Sequence, residues 1–307
     1  MNMQNSHHTQ ITQGTGMEQR NSPRSLAMLI TAMTIFGTIG IFRKMIPLPS
    51  ALIAFFRGII GTVFLIFFVK IRGKKLNHHL STKVRLLLVL TGALIGINWM
   101  MLFEAYNYTS VSVATLCYYM EPTFVVILSL FVLKERLTLK KGVCSLLALV
   151  GMVLVSGILE TGGLQKEDLT GVLLGIGAAV IYAVVILLNK SLPGLDSYEK
   201  TVIQLGSAAL ILLPYLLVSG SFVGNTWSFR TIALLLFVGI VHTGISYSLY
   251  FGSMDGLRTQ TVALFSYIDP IVALFLSAWI LHERMTLSGI IGAVLILGSA
   301  IVCELDK

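Results

Sequence analysis

The chain has 307 residues, 55% of them hydrophobic and 12% charged, with a mean hydropathy of +0.86 and a formal net charge of +8. Soluble globular domains carry about 25% charged residues, so a soluble protein is excluded: half that charge cannot cover its surface. The three cysteines, Cys117, Cys144 and Cys303, all lie in apolar segments, without the spacing of a disulfide framework or of metal ligands.

In chain order, residues 1–25 form a polar tail expected to be disordered, with His7 and His8 as a solvated pair. Arg20 and Arg24 precede an apolar run, as in a signal peptide, but no small-x-small cleavage site appears before Arg43, so a retained first span is expected. Apolar stretches close to the roughly 20 residues that cross a bilayer then follow. They fall at about 26–42, 51–69, 86–103, 112–133, 142–159, 170–189, 201–218, 231–251, 259–281 and 288–303. The predicted fold class is all-α integral membrane, with ten transmembrane helices. The loops are too short to hold a soluble catalytic domain.

Lys and Arg set the orientation of such a chain. With a cytoplasmic N-terminus, the inner segments hold Arg20, Arg24, Lys70, Arg72, Lys74, Lys75, Lys83, Arg85, Lys134, Arg136, Lys140, Lys141, Lys190, Lys200, Arg258 and Lys307. The outer ones hold only Arg43, Lys44, Lys166, Arg230 and Arg284. This bias of about three to one predicts both termini in the cytoplasm of a cell-membrane protein. It assigns the +8 to topology and not to nucleic acid. Trp99, Trp227 and Trp279 fall near the outer ends of their spans, where indole rings favour the headgroup layer.

The chain repeats itself. "YYMEPTFVVILSLFVLKERLTL" (118–139) aligns with "SYIDPIVALFLSAWILHERMTL" (266–287). Glu121 meets Asp269, Pro122 meets Pro270, Glu135 meets Glu283 and Thr138 meets Thr286, each at a step of 148 residues. The expected domains are the tail 1–25, a first five-helix repeat 26–159 and a second 160–307. Five spans is an odd number, so the second copy enters the membrane inverted, an arrangement found in secondary transporters. Thr138 and Thr286 are expected to cap the helices after them, and Glu135 and Glu283 to hold an adjacent turn or Arg.

The doubled acid-Pro followed by "LKERLT" and "LHERMT", with "EAYNYTSVSVATL" and with Arg57 in "ALIAFFRGIIG", resembles the EamA branch of the drug/metabolite transporter superfamily. That resemblance spans residues 26–303. It implies two inverted bundles of five helices, with helices one to four and six to nine around a cavity and five and ten peripheral. It also implies carrier-type transport of small metabolites or drugs, commonly export. Gln204 lies near the second-repeat counterpart of Arg57, which would leave the cavity asymmetric in charge.

Glu121 with Pro122, and Asp269 with Pro270, sit near the midpoints of their spans. A carboxylate at that depth costs about 2.5–3.5 kcal/mol on insertion scales. Proline removes a backbone donor and frees a carbonyl one turn earlier, which is tolerated only where protein or a wet cavity satisfies it. The pairing marks a binding or coupling site. Arg57, roughly 9 Å deep at 1.5 Å per residue, could pair with Glu121, contact substrate or snorkel outward. Tyr119 and Tyr267, repeat-equivalent and two residues before their acids, are expected in the cavity. His242 could relay protons or bond a neighbouring helix. Asn98 and Gln204 could line the cavity or join helices, as could Tyr118, Tyr182 and Asn189.

No Walker loop, HExxH or Asp-rich diphosphate motif occurs, and no catalytic set, metal site or cofactor is expected. The reading is a monomeric secondary carrier, an exporter by resemblance, of small metabolites such as amino acids, in the lipid bilayer, with protons as candidate coupling ion. A facilitative carrier or organic-cation efflux protein is the alternative. A membrane-embedded enzyme is the rival class.

Overall fold

The computed structural model describes residues 22–73, 80–132, 138–155, 166–189, 195–254 and 259–304, with Leu192 and Leu257. The tail through residue 21, Lys74, Lys75, Lys134, Glu135, Arg136, Lys190 and Arg258 lie outside them, as does the side chain of Cys303. Every regular element among the described residues is helical.

The helices are α1 (Pro23–Gly37), α2 (Ile39–Met45), α3 (Ser50–Ile71), α4 (Thr82–Tyr108), α5 (Val111–Tyr118), α6 (Glu121–Val132) and α7 (Leu139–Val155). They continue with α8 (Lys166–Asn189), α9 (Ser197–Val218), α10 (Phe229–Phe237), a π-helical segment (Val238–Ile245), α11 (Ser246–Met254), α12 (Thr259–Ser266), α13 (Ile268–Ile280) and α14 (Leu287–Glu304). Among the described residues, seven helical stretches are long and apolar enough to cross a membrane, with α13 and Leu287–Val302 as shorter apolar helices. The chain is a multi-pass membrane protein.

Local chemistry sets the ends. Ser81, Ser110, Asp196 and Ser228 each accept a first-turn N–H of the helix that follows. Thr138 and Thr286 cap as expected: their hydroxyls accept the N–H groups of Lys141 at 3.3 Å and Gly289 at 3.2 Å. Glu283 does not hold its adjacent turn. It reaches the start of α5.

Three interruptions matter. Tyr119 and Met120 form a turn between α5 and α6, and Tyr267 one between α12 and α13. Each proline therefore falls in the first turn of a new helix, where its missing N–H costs nothing. The third is the π segment within the stretch expected as one helix over 231–251. Thr243 Oγ1 donates to the Val238 carbonyl at 3.4 Å and Ser246 Oγ to that of Val241 at 2.9 Å, both five residues back. These hydroxyls stabilise the wider turn, a form frequent at functional sites.

Packing interleaves the chain's halves. α4 lies against α8 and α9, α3 against α9 and the π segment, and α1 against α11 and α13. α5 meets α8 and α13, α6 meets α8, and α7 pairs with α14. The main core, around Leu52, Phe103, Leu205 and Leu216, lies between α3, α4 and α9. Trp99 belongs to it at 6% exposed, not to a headgroup belt, because it stacks under Arg57. Trp227 and Trp279 are exposed, as a belt requires.

The α7–α14 crossing brings backbone onto backbone. A Cβ on Gly292 would lie 2.5 Å from the Gly151 carbonyl oxygen, and one on Gly151 would lie 2.7 Å from that of Gly292. Gly292→Ala is therefore expected to lower the thermal midpoint of the detergent-solubilised protein. Gly298→Ala on the same helix, where an added Cβ meets open space, is expected to hold or raise that midpoint, because alanine is favoured over glycine in a helix by about 1 kcal/mol.

Candidate functional site

Both interrupted helices present a carboxylate at a helix start: Glu121 is the first residue of α6 and Asp269 the second of α13. The first N–H groups of a helix lack intrahelical partners, and the macrodipole is positive there. Each break thus supplies partial positive charge beside an acid that hydrocarbon would otherwise penalise. Tyr119, in the turn after α5, lies within electrostatic range of Asp269 at the start of α13.

Tyrosines surround the two acids. Tyr118, Tyr119 and Tyr182 each lie within electrostatic range of both Glu121 and Asp269. Tyr118 meets Tyr119 edge-on at 5.8 Å and Tyr182 at 5.9 Å between ring centroids. Tyr247 and Tyr250 on α11 extend the wall, with Phe36 edge-on to Tyr247 at 5.2 Å. All five tyrosines and both acids are only half-buried. α1 closes in through Gly37, where a Cβ would sit 2.5 Å from the Asp269 carbonyl oxygen.

Arg57 is buried and does not snorkel. Its Nε donates to Thr243 Oγ1 at 2.9 Å, and its guanidinium lies 4.1 Å from the Trp99 ring centroid and 5.6 Å from that of Phe103. Asp269 is a carboxylate within its electrostatic range. Gln204 makes the related bond in the other half: its Nε2 donates to Thr91 Oγ1 at 2.8 Å and to Asn189 Oδ1 at 2.9 Å. His242 Nε2 meets Thr38 Oγ1 at 2.7 Å across to the α1–α2 break, while its buried Nδ1 has no hydrogen-bond partner. Asn98 Nδ2 donates to the Ala178 carbonyl at 2.6 Å. Asn98, Gln204 and His242 therefore join helices.

Tyr267 is buried among Leu116, Met120 and Ile296, in a core cluster that Tyr119 also borders. The structure thus gathers Glu121, Asp269 and Tyr119 with Tyr118 and Tyr182, and bonds Arg57 to Thr243 of the π segment, next in the chain to His242. Sequence reading missed Thr38, Thr243, Tyr247 and Tyr250. The two tyrosines were legible as an i, i+3 pair in "SYSLYF". Among the described residues, no three His, Cys, Asp or Glu are grouped to hold a metal ion.

Interleaved apolar helices around half-buried acids and tyrosines define a polytopic transport protein. The EamA-like transporter family model matches the chain twice, over residues 24–157 and 169–304, and the protein belongs to that family. It is 30% identical over 290 residues to an uncharacterized transporter, YxxF, of Bacillus subtilis (strain 168), covering 93% of this chain and 91% of the relative. It is 26% identical to YoaV of the same organism, an uncharacterized transporter, over 81% of this chain and 85% of the relative. A crystal structure described only as that of a protein superposes with a TM-score of 0.64 at 23% identity, covering 91% of this chain and 96% of the other, and shares the fold.

Thr243 is the hydrogen-bond acceptor for Arg57. Thr243→Val is expected to destabilise the folded protein by about 1.5–3 kcal/mol, as for bonds to charged groups, read by denaturation in detergent. Thr243→Ser, which keeps the hydroxyl, is expected to retain most of that stability.

Proposed function

We propose that this membrane transporter is a secondary carrier of small metabolites such as amino acids or related compounds. It would work by alternating access around a site at Glu121 and Asp269. In this reading ten spans form two inverted five-helix repeats, 26–159 and 160–307, in the cell membrane with both termini cytoplasmic. The observation that carries it is the pair of carboxylates at the starts of two equivalently interrupted helices, ringed by half-buried tyrosines.

Two further observations support the repeat. The family model matches twice. The helix contacts also map onto themselves when the halves are exchanged: α1 on α11 answers α8 on α4, α3 on the π segment answers α9 on α4, and α7 on α14 answers itself. Export follows the family's habit, and the carrier acts as a monomer. A second reading, efflux of organic cations, is favoured by the tyrosine faces around two acids, because ring faces attract cations.

Flux from proteoliposomes loaded with amino acids, nucleosides or organic cations, with and without a pH gradient, tests both readings. Protein-dependent flux of amino acids is expected. Flux confined to organic cations would select the second reading, and none for any class would sink both. If protons couple, Glu121→Gln and Asp269→Asn abolish gradient-driven flux in folded protein. Wild-type pH dependence in both variants would reject coupling.

A further inference from the structure

We propose that Glu283 is a releasable latch on one mouth of the carrier, holding the start of α5 against the end of α13 until substrate passes. The latch rests on the carrier reading above and places this mouth on the outer face in its orientation.

Glu283 Oε1 accepts the Val111 N–H at 2.8 Å, and Oε2 accepts the Ser112 N–H and hydroxyl, each at 3.1 Å. The next N–H, of Val113, goes to Ser110 Oγ at 3.1 Å. The first turn of α5 is thus capped largely by a carboxylate more than 170 residues away. Beside it the hydroxyls of Ser112 and Ser277 meet at 2.5 Å, and both residues are buried.

The turn bearing Glu283 is preset. His282 has a φ of 55°, a left-handed conformation uncommon outside glycine but enriched in His. The N–H groups of Leu281 and Glu283 both return to the Ser277 carbonyl, at 3.1 and 3.2 Å. Ser277 is therefore fixed by its own turn, and its hydroxyl is the part that faces α5.

The latch lies over the candidate site. Asp269, Ala273 and Ser277 are spaced four apart, so they share one face of α13, and Ser277 stands about 12 Å from Asp269 at 1.5 Å per residue. Opposite it, α5 packs on α13, with Ser112 in its first turn and Tyr119 in the turn that follows its last residue. Ser112–Ser277 closes this seam at the mouth, and Tyr119 lies within electrostatic range of Asp269 at the site. Ala273, between them, is buried. A cap serving stability alone need not sit on this seam. Glu283 itself is half-buried, so water can replace its bonds when the seam parts.

The test uses Ala273→Cys in the full chain with Cys117, Cys144 and Cys303 replaced by alanine, in proteoliposomes, with a membrane-impermeant maleimide as probe. Adding Glu283→Gln, which keeps the shape but leaves one oxygen where two accepted the Val111 and Ser112 N–H groups, is expected to raise the labelling rate at least tenfold. Ser112→Ala with Ser277→Ala is expected to raise it several-fold and serves if the first variant does not fold. Glu283→Asp is expected to fall between. Labelling within twofold of the parent in folded variants would overturn the latch, as would a lowered thermal midpoint with unchanged labelling. The readout needs no substrate, so its failure is separate from an absence of flux.

Discussion

Backbone hydrogen bonding is the constraint on which this architecture depends. Within hydrocarbon every N–H and C=O must find a partner inside the protein, so an unbroken helix is the default and each break needs a local solution. The chain solves it differently at each break. Two start a fresh helix whose first turn contains a proline and an acid. The π segment turns threonine and serine hydroxyls onto carbonyls five residues back. At Thr38, between α1 and α2, the hydroxyl serves both the Ile35 carbonyl and His242. None of the breaks is isolated in the fold: Gly37, Asp269, Tyr119, Thr243 and Arg57 occupy one connected region.

In the proposed repeat, the same region is where the two halves become chemically unequal. Arg57 on α3 donates to a threonine on the π segment, and Gln204 on α9 donates to a threonine on α4. The helix pairs correspond, and so does the acceptor type. The donors differ in charge, and Gln204 also bonds Asn189 where Arg57 lies over Trp99 and Phe103. A neutral amide in one half and a cation over aromatic rings in the other give the site polarity without altering the packing of either half. Asn98 with the Ala178 carbonyl and His242 with Thr38 form a second such correspondence, again between equivalent helix pairs.

How much of this the sequence disclosed depended on the range of the interaction. The helix breaks were legible because proline and a carboxylate are both out of place in an apolar run. The caps at Thr138 and Thr286 were legible because they act within three residues. Arg57 stood out, but its partner Thr243 did not, since a threonine in a membrane helix is ordinary. The π segment was hidden because its stabilising bonds leave no mark on hydrophobic periodicity. Glu283 was misread for the same reason of range: a carboxylate beside a turn looks local until the fold brings α5 to it. Trp99 had the position of a belt residue, and only the cation above it revealed a core one.

Interleaving also has a bearing on how the protein is made. Arg57 precedes Thr243 by 186 residues. At translation rates of about 5–20 residues per second, the guanidinium spends on the order of 10–40 s in the membrane before its hydrogen-bond acceptor exists. Trp99 and Phe103 are synthesised far sooner, and their rings can hold the cation meanwhile. The stack that buries Arg57 in the finished protein is thus complete in the chain well before Thr243 is made.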